Sequence, residues 1–163
     1  MKAILFAFLL TTMAASAAVV QMAPDFTFAG ANKKSLRGLR GQPVVLFLAD
    51  SPNNKKFRKQ LSRMKAIYQQ FASRGVVFAA ALGNEEQPVP SDIPVVITNN
   101  GPGVAAAYGM DGGYKLVIIG KDGNVDFESD RVVAGTRVRE VIQNSFEIQK
   151  VIRREVPRKK VGR

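Results

Sequence analysis

The sequence of 163 residues contains no cysteine, no histidine and no tryptophan. Without cysteine the chain can form no disulfide, no thiolate nucleophile and no cysteine-ligated metal site. Without histidine it lacks the commonest general base, the commonest metal ligand and every serine–histidine triad. A carboxylate pair, a lysine amine or a serine–lysine couple could still do chemistry, but no spacing in the chain favours any of them. We therefore expect no catalytic residue, no metal and no cofactor.

Acidic side chains are also scarce. There are 13 Asp and Glu residues against 24 Lys and Arg residues, which gives a formal net charge of +11. So large an excess of positive charge attracts polyanions and anionic surfaces. Two interpretations remain open: the charge recruits an anionic partner, or it only keeps the protein soluble.

Long apolar runs are absent as well, because no segment reaches the ~18 residues that a membrane helix needs. The chain opens with MKAILFAFLLTTMAASAAVV, in which Lys2 is followed by a short apolar run over 3–10 and then by the small residues Ala15-Ser16-Ala17. This is the three-part pattern of a secretory signal peptide, with cleavage expected after Ala17. A buried N-terminal helix is the alternative interpretation.

The signal pattern divides the chain into three parts. We expect a signal peptide at 1–17, a single domain at 18–149 and a basic C-terminal tail at 150–163. The mature protein would be exported, periplasmic or secreted, with no transmembrane segment after cleavage. Export argues against nucleic acid as the partner. It favours an acidic protein or an anionic envelope component such as lipid headgroups, lipopolysaccharide or acidic polysaccharide.

The first half of the domain is predicted to be a strand–helix–strand unit. Val44–Leu48 is an apolar run typical of a buried strand, and Ser51 then offers a helix N-cap with Pro52 at the first helical position. Apolar residues recur every three or four positions over 53–73, which predicts an amphipathic helix. Val76–Leu82 predicts a second strand, parallel to the first.

The second half is predicted to contain a third strand, a short helix, a hairpin and a last helix. These elements are expected at Pro94–Thr98, Pro102–Tyr108, Leu116–Ile119 with Val125–Phe127 around the turn Gly120–Gly123, and Gly135–Phe146. The expected fold class is α/β: a mixed central sheet in which a βαβ unit is followed by a β-hairpin and a C-terminal helix.

This order of elements resembles the thioredoxin-like superfamily, a three-layer sandwich. APDF at Ala23–Phe26 is similar to the leading segment of peroxiredoxin and AhpC-type redoxins, and IPVVITNNGPGVAAAYGM at Ile93–Met110 is similar to their mid-chain segment. YKLVIIGKDGNV at Tyr114–Val125 resembles their hairpin. The cysteine-less DUDES-type domain is also similar, through the helix RKQLSRMKAIYQQF, the GKDG hairpin and a final Arg-Arg-Glu. The resemblance implies a thioredoxin-like sandwich of one of these two branches.

The resemblance also implies where a redox site would stand. In catalytic members a cysteine pair lies between the strand and the helix, faced by a cis-proline before the hairpin. The corresponding positions here hold Ser51, Pro52, Asn53, Asn54 and Tyr114. We expect a degenerate redox site, in which a helix cap replaces the nucleophile and disulfide exchange and peroxidase activity are lost. Asp50 is expected to serve as a second cap or in a turn.

Two clusters of basic residues are candidates for contact with a partner. One is on the predicted helix after the junction: Lys55, Lys56, Arg58 and Lys59. Its N-terminus, with amide donors from Asn53 and Asn54, is a candidate anion site, and a solvated basic face is the alternative. The other cluster is near the C-terminus: Arg153, Arg154, Arg158, Lys159 and Lys160. Such a cluster predicts weak, salt-sensitive peripheral contact with an anionic membrane, or else a disordered solubilising end.

Two functional hypotheses follow. The leading one is an exported, non-catalytic thioredoxin-like domain that acts as a binding or scaffold module for an anionic or protein partner. The alternative is an accessory docking subunit of a redox or oxidative-stress system, in which the cysteines belong to the partner.

Overall fold

The computed structural model describes residues 21–30, 34–83 and 89–155, and from residue 148 onward it describes the backbone alone. Its five strands are β1 (Val44–Ala49), β2 (Val77–Leu82), β3 (Val96–Ile97), β4 (Tyr114–Ile119) and β5 (Val125–Ser129). Its helices are α1 (Lys55–Ala72), α2 (Gly101–Ala107) and α3 (Gly135–Glu155), with a 3-10 turn at Leu36–Leu39. The strands form one sheet in the order β3-β2-β1-β4-β5.

β1 is the central strand of this sheet. It pairs in parallel with β2 and antiparallel with β4, so the sheet is mixed. All six of its residues are buried, as its continuous apolar sequence predicts for a strand covered on both faces. The parallel β1-α1-β2 unit and the β4–β5 hairpin are therefore confirmed.

Two apolar cores lie on opposite faces of the sheet. On one face α1 and α3 pack against the sheet, and α1 contributes the stripe Phe57, Leu61, Met64, Ile67 and Phe71. On the other face α2 and the N-terminal segment cover the sheet, with Phe26, Phe28 and Tyr108 in edge-to-face contact. These layers make the predicted three-layer sandwich, and the stripe on α1 is confirmed.

The start of α1 differs from the prediction. The helix begins at Lys55 and its N-cap is Asn54, whereas Ser51 was expected to be the cap and Pro52 the first helical residue. Ser51 instead closes a turn: its hydroxyl accepts from the Asn53 N–H at 3.0 Å, and its carbonyl accepts from the Asn54 N–H at 3.1 Å. The prediction of a cap at Ser51 is therefore wrong.

Among the remaining elements, β3 and α3 differ most in length from the prediction. β3 covers only Val96–Ile97 of the expected Pro94–Thr98, in part because proline has no N–H to give to a sheet. α3 continues to Glu155, past the expected end at Phe146, so residues 150–155 of the expected tail are helical in backbone. The expected signal peptide and the basic residues Arg158, Lys159 and Lys160 lie outside the described residues.

Candidate functional site

The junction between β1 and α1 lies at the centre of the sheet, beside the start of β4. Ala49, the last residue of β1, is opposite Tyr114, the first residue of β4. The loop 50–54 therefore runs along the Gly112-Gly113 turn that precedes β4, and the Asp50 N–H donates to the Gly113 carbonyl at 3.0 Å. The structure thus brings together the two halves of the degenerate redox site predicted from the sequence.

Asn54 links these two halves through its side chain. Its amide nitrogen donates to Asp50 Oδ1 at 2.8 Å and to the Gly113 carbonyl at 3.1 Å. Its Oδ1 accepts from the N–H groups of Lys56 at 2.9 Å and Phe57 at 3.2 Å. Both amide hydrogens are used, and two of the N–H groups at the helix start are already paired. The hypothesis that Asn54 offers free donors to an anion at this helix N-terminus is therefore wrong.

The Gly112-Gly113 turn makes the close approach of β4 to the junction possible. Both glycines have positive φ, 77° and 80°, which residues with a side chain rarely adopt. A Cβ on Gly113 would lie 2.9 Å from Asp50 Oδ2, which is closer than real contacts allow. Gly113 thus leaves room for the Asp50 carboxylate that accepts from Asn54.

A second hydrogen-bonded cluster lies beneath the junction, around Gln60. Its Oε1 accepts from the Val133 N–H at 2.7 Å and from the Tyr114 hydroxyl at 3.3 Å, while its Nε2 donates to the Val133 carbonyl at 3.0 Å. Gln60 and Tyr114 are fully buried. Burial raises the pKa of the Tyr114 hydroxyl, so Tyr114 acts as a neutral donor. The cluster ties α1 and β4 to the loop before α3.

Sequence reasoning missed Gln60, although a signal was present. It follows Phe57 by three residues and precedes Met64 by four, so it lies within the apolar stripe of α1. A polar side chain at a core position requires buried hydrogen-bond partners, because an unpaired buried amide is costly. The partners themselves, Val133 and Tyr114, lie 73 and 54 residues further along the chain and were not predictable.

The polar groups of the junction therefore have a structural role, because they hold the loop 50–54, the start of α1 and the start of β4 together. Ser51, Asn53 and Asn54 are engaged in turns and caps, Pro52 is buried, and Tyr114 is a core residue. All peptide bonds of the described residues are trans, so no cis-proline faces the junction within that part of the chain. The same residues contain no group of three acidic, histidine or cysteine side chains that could hold a metal ion.

The comparisons with known proteins identify the fold of the chain but no family. No family model and no curated protein matches the chain. Solved structures do match, among them a Chlorobium tepidum protein named as the thiol:disulfide interchange protein DsbE, with 17% identity, a TM-score of 0.64 and 77% and 96% of the two chains covered. Peroxidoxin BcpB of Mycobacterium tuberculosis matches with 16% identity, a TM-score of 0.56 and coverage of 79% and 96%.

The fold is thioredoxin-like. A further match is the exposed lipoprotein thioredoxin of Streptococcus pneumoniae, with 14% identity, a TM-score of 0.55 and coverage of 74% and 99%. One of the matching structures is a peroxidoxin, so the fold of this chain is also found in a protein of that name. At such identities the similarity concerns the fold alone. The name of the Chlorobium tepidum protein denotes thiol–disulfide chemistry, whereas this chain has no cysteine.

The basic cluster on α1 is the other candidate site. Lys55, Lys56, Arg58 and Lys59 are all exposed, and α1 contains no acidic residue. Lys56 Nζ donates to the Asp130 carbonyl at 3.2 Å. Further along the same helix, Lys65 pairs with Asp92 at 2.8 Å. Four cations thus lie within five consecutive residues of α1, and none of them has a carboxylate partner in the described residues.

The C-terminal basic cluster is only partly within the described residues. Arg153 and Arg154 belong to the backbone of α3, whose described part ends at Glu155. No helix of the described residues is long and apolar enough to cross a membrane. Contact of this cluster with a membrane or a protein stays a prediction.

Proposed function

We propose that this protein is an exported, non-catalytic thioredoxin-like binding or scaffold module, and that it contacts an anionic partner through the basic face of α1. The observation that carries the proposal is the run of four exposed cations at 55–59 on a helix with no acidic residue. At 1.5 Å of rise per residue, the four positions span about 6 Å along the helix axis, which is less than one Debye length of about 8 Å at physiological salt. They repel one another, and an anionic surface relieves that repulsion.

Two observations support a non-catalytic role. The chain has no cysteine and no histidine, which removes thiol chemistry and the commonest acid–base chemistry. At the junction, where thioredoxin-like enzymes carry their nucleophile, the polar groups of Asp50 and Asn54 are hydrogen-bonded to each other and to the backbone. The proposed binding surface is therefore placed on α1 and not at the junction.

Export rests on the sequence pattern of residues 1–17. One of the similar solved structures is named as an exposed lipoprotein, so the fold is compatible with a location outside the cytoplasm. A partner in the envelope would be an anionic lipid surface, an acidic polysaccharide or an acidic protein. The C-terminal basic cluster would add to the attraction.

Binding to anionic probes tests the proposal. The chain starting at residue 18 is titrated with vesicles containing phosphatidylglycerol, with polygalacturonate and with poly-L-glutamate, each at low and high salt. We expect binding that weakens as salt rises, and loss of affinity in the double variant Lys55→Gln/Lys59→Gln. The matched control is Lys34→Gln/Arg40→Gln, which removes the same charge from exposed residues outside α1. Equal effects of the two variants, or no binding to any probe, would contradict the proposal.

The names of the similar structures favour a second candidate, an accessory docking subunit whose partner owns the cysteines. This candidate predicts that the exported chain co-purifies with a cysteine-bearing protein in a complex that survives high salt. Asn53 is exposed at the junction, so Asn53→Arg should disrupt docking there. A complex unaffected by this substitution would exclude the junction as the docking surface.

A further inference from the structure

A cavity of about 380 Å³ lies between α1 and the segment that leads to β3. We call it the α1 cleft. One wall is formed by α1 and the other by the segment 90–93, and the lining residues are Arg58, Leu61, Ser62, Lys65, Pro90, Ser91, Asp92 and Ile93. The volume is at the small end of the range for ligand sites, about 300–1,000 Å³, and suits a single side chain or end group.

We propose that the α1 cleft binds one carboxylate group of the anionic partner, with Arg58 as its principal ligand. This inference rests on the proposed function and deepens it, because it replaces general attraction by a defined point of recognition. Arg58, Ser62 and Lys65 follow one another at i, i+4 and i+7, so they share one face of α1. That face is the wall of the cleft.

The charges of the cleft leave Arg58 available. Lys65 Nζ lies 2.8 Å from Asp92 Oδ2, so that lysine is already neutralised by the opposite wall. The Arg58 side chain is exposed and forms no ion pair within the described ranges. Two cations therefore face one carboxylate, and the cleft carries a net charge of one positive unit. That balance matches a singly charged carboxylate better than a doubly charged phosphate.

The remaining lining residues fit the same ligand. The guanidinium of an arginine presents parallel N–H donors that match the two oxygens of a carboxylate. In the described part of the chain, the Ser62 hydroxyl has no hydrogen-bond partner and can add a third donor, whereas Ser91 is engaged with the backbone of Ile93. Leu61 and Ile93 are buried and give the cleft an apolar floor, which suits the methylene stem of a glutamate side chain.

A charge-matched pair of variants tests the inference. Arg58→Gln and Lys59→Gln remove the same charge from adjacent exposed positions of α1, but only Arg58 lines the cleft. Arginine, lysine and glutamine are all good helix formers, so both variants should fold. The probe is poly-L-glutamate at fixed low salt, with inorganic polyphosphate as the second arm. We expect Arg58→Gln to lose about tenfold more affinity for poly-L-glutamate than Lys59→Gln.

Two further variants sharpen the result. Arg58→Lys keeps the charge but loses the fork of donors, so it should recover only part of the affinity. Asp92→Asn removes the competing carboxylate and should strengthen binding of poly-L-glutamate. Equal losses in Arg58→Gln and Lys59→Gln would overturn the cleft but leave the proposed function intact. If the wild type does not bind poly-L-glutamate, the cleft is overturned, and the proposed function is overturned as well only if the vesicles and polygalacturonate also fail to bind. An equal or larger loss with polyphosphate would overturn the assignment of a carboxylate.

Discussion

Asn54 should contribute more to stability than an ordinary helix cap, because its side chain closes both halves of the junction. Replacing the N-cap residue by alanine typically costs about 1 kcal/mol. Asn54→Ala also removes two hydrogen bonds donated to Asp50 and Gly113, which together are worth about 1 kcal/mol net at this partly exposed position. We expect the free energy of unfolding to fall by about 2 kcal/mol, as measured by urea denaturation.

Asn54→Asp separates the two contributions. Aspartate caps a helix as well as asparagine does, so the bonds from Lys56 and Phe57 survive. It has no amide hydrogens, however, and it brings a second carboxylate next to Asp50. This variant should therefore still lose about 1 kcal/mol at neutral pH. Asn53→Ala is the neighbouring control and should stay within about 0.5 kcal/mol of the wild type. If Asn54→Asp were as stable as the wild type, the hydrogen bonds from Asn54 to Asp50 and Gly113 would not stabilise the fold, and the reasoning would be refuted.

Three more predictions concern Gln60 and Gly113, which lie near the junction, and Asp126, which lies on β5. Gln60→Ala breaks three hydrogen bonds and leaves the backbone groups of Val133 without their partner. The free energy of unfolding, measured by urea denaturation, should therefore fall by about 2–4 kcal/mol. The control is Gln69→Ala at an exposed position, which should change it negligibly. Gly113→Ala forces a side chain into a positive φ and against a carboxylate oxygen, so it should cost at least about 1 kcal/mol; a neutral effect in the same assay would refute the close approach. Partial burial raises the pKa of Asp126, so the folded state holds the carboxyl proton of Asp126 more tightly than the unfolded chain does. The contribution of Asp126 to stability therefore falls as pH rises from the ordinary pKa of an aspartate through the raised value. Asp126→Asn should therefore be more stable relative to the wild type at pH 7 than at pH 3, and a pH-independent difference would show that this carboxyl does not titrate differently on folding.

Hydrophobic pattern was sufficient to predict the sheet and the main helix. Burial alone explains the apolar runs at β1 and β2 and the spacing of three and four along α1. Burial can be inferred from the order of apolar residues within each short segment. The GKDG turn likewise determines the β4–β5 hairpin through residues that are adjacent in the chain. These elements therefore agree with the prediction in type and order, and they differ only at their ends.

The site could not be predicted to the same depth, because its contacts join distant parts of the chain. Ser51 and Asn54 are equally good caps by residue type, and Pro52 fits the first turn after Ser51. What distinguishes them is the Gly113 carbonyl, which reaches Asn54 only when β4 pairs with β1. The α1 cleft has the same origin, since Lys65 and Asp92 are 27 residues apart in sequence.

Stability and binding should be separable in this molecule, although their residues are neighbours on α1. Asn54 and Arg58 are joined by the first backbone hydrogen bond of the helix, from the Arg58 N–H to the Asn54 carbonyl at 3.0 Å. The side chain of Asn54 points into the junction, where it bonds Asp50 and Gly113, while that of Arg58 is exposed and lines the cleft. Asn54→Ala should therefore lower the free energy of unfolding and leave the affinity of the folded protein for poly-L-glutamate within about twofold, whereas Arg58→Gln should do the reverse. A loss of affinity in Asn54→Ala, measured well below its denaturation midpoint, would mean that the partner contacts the junction itself and that the docking-subunit hypothesis describes this protein better.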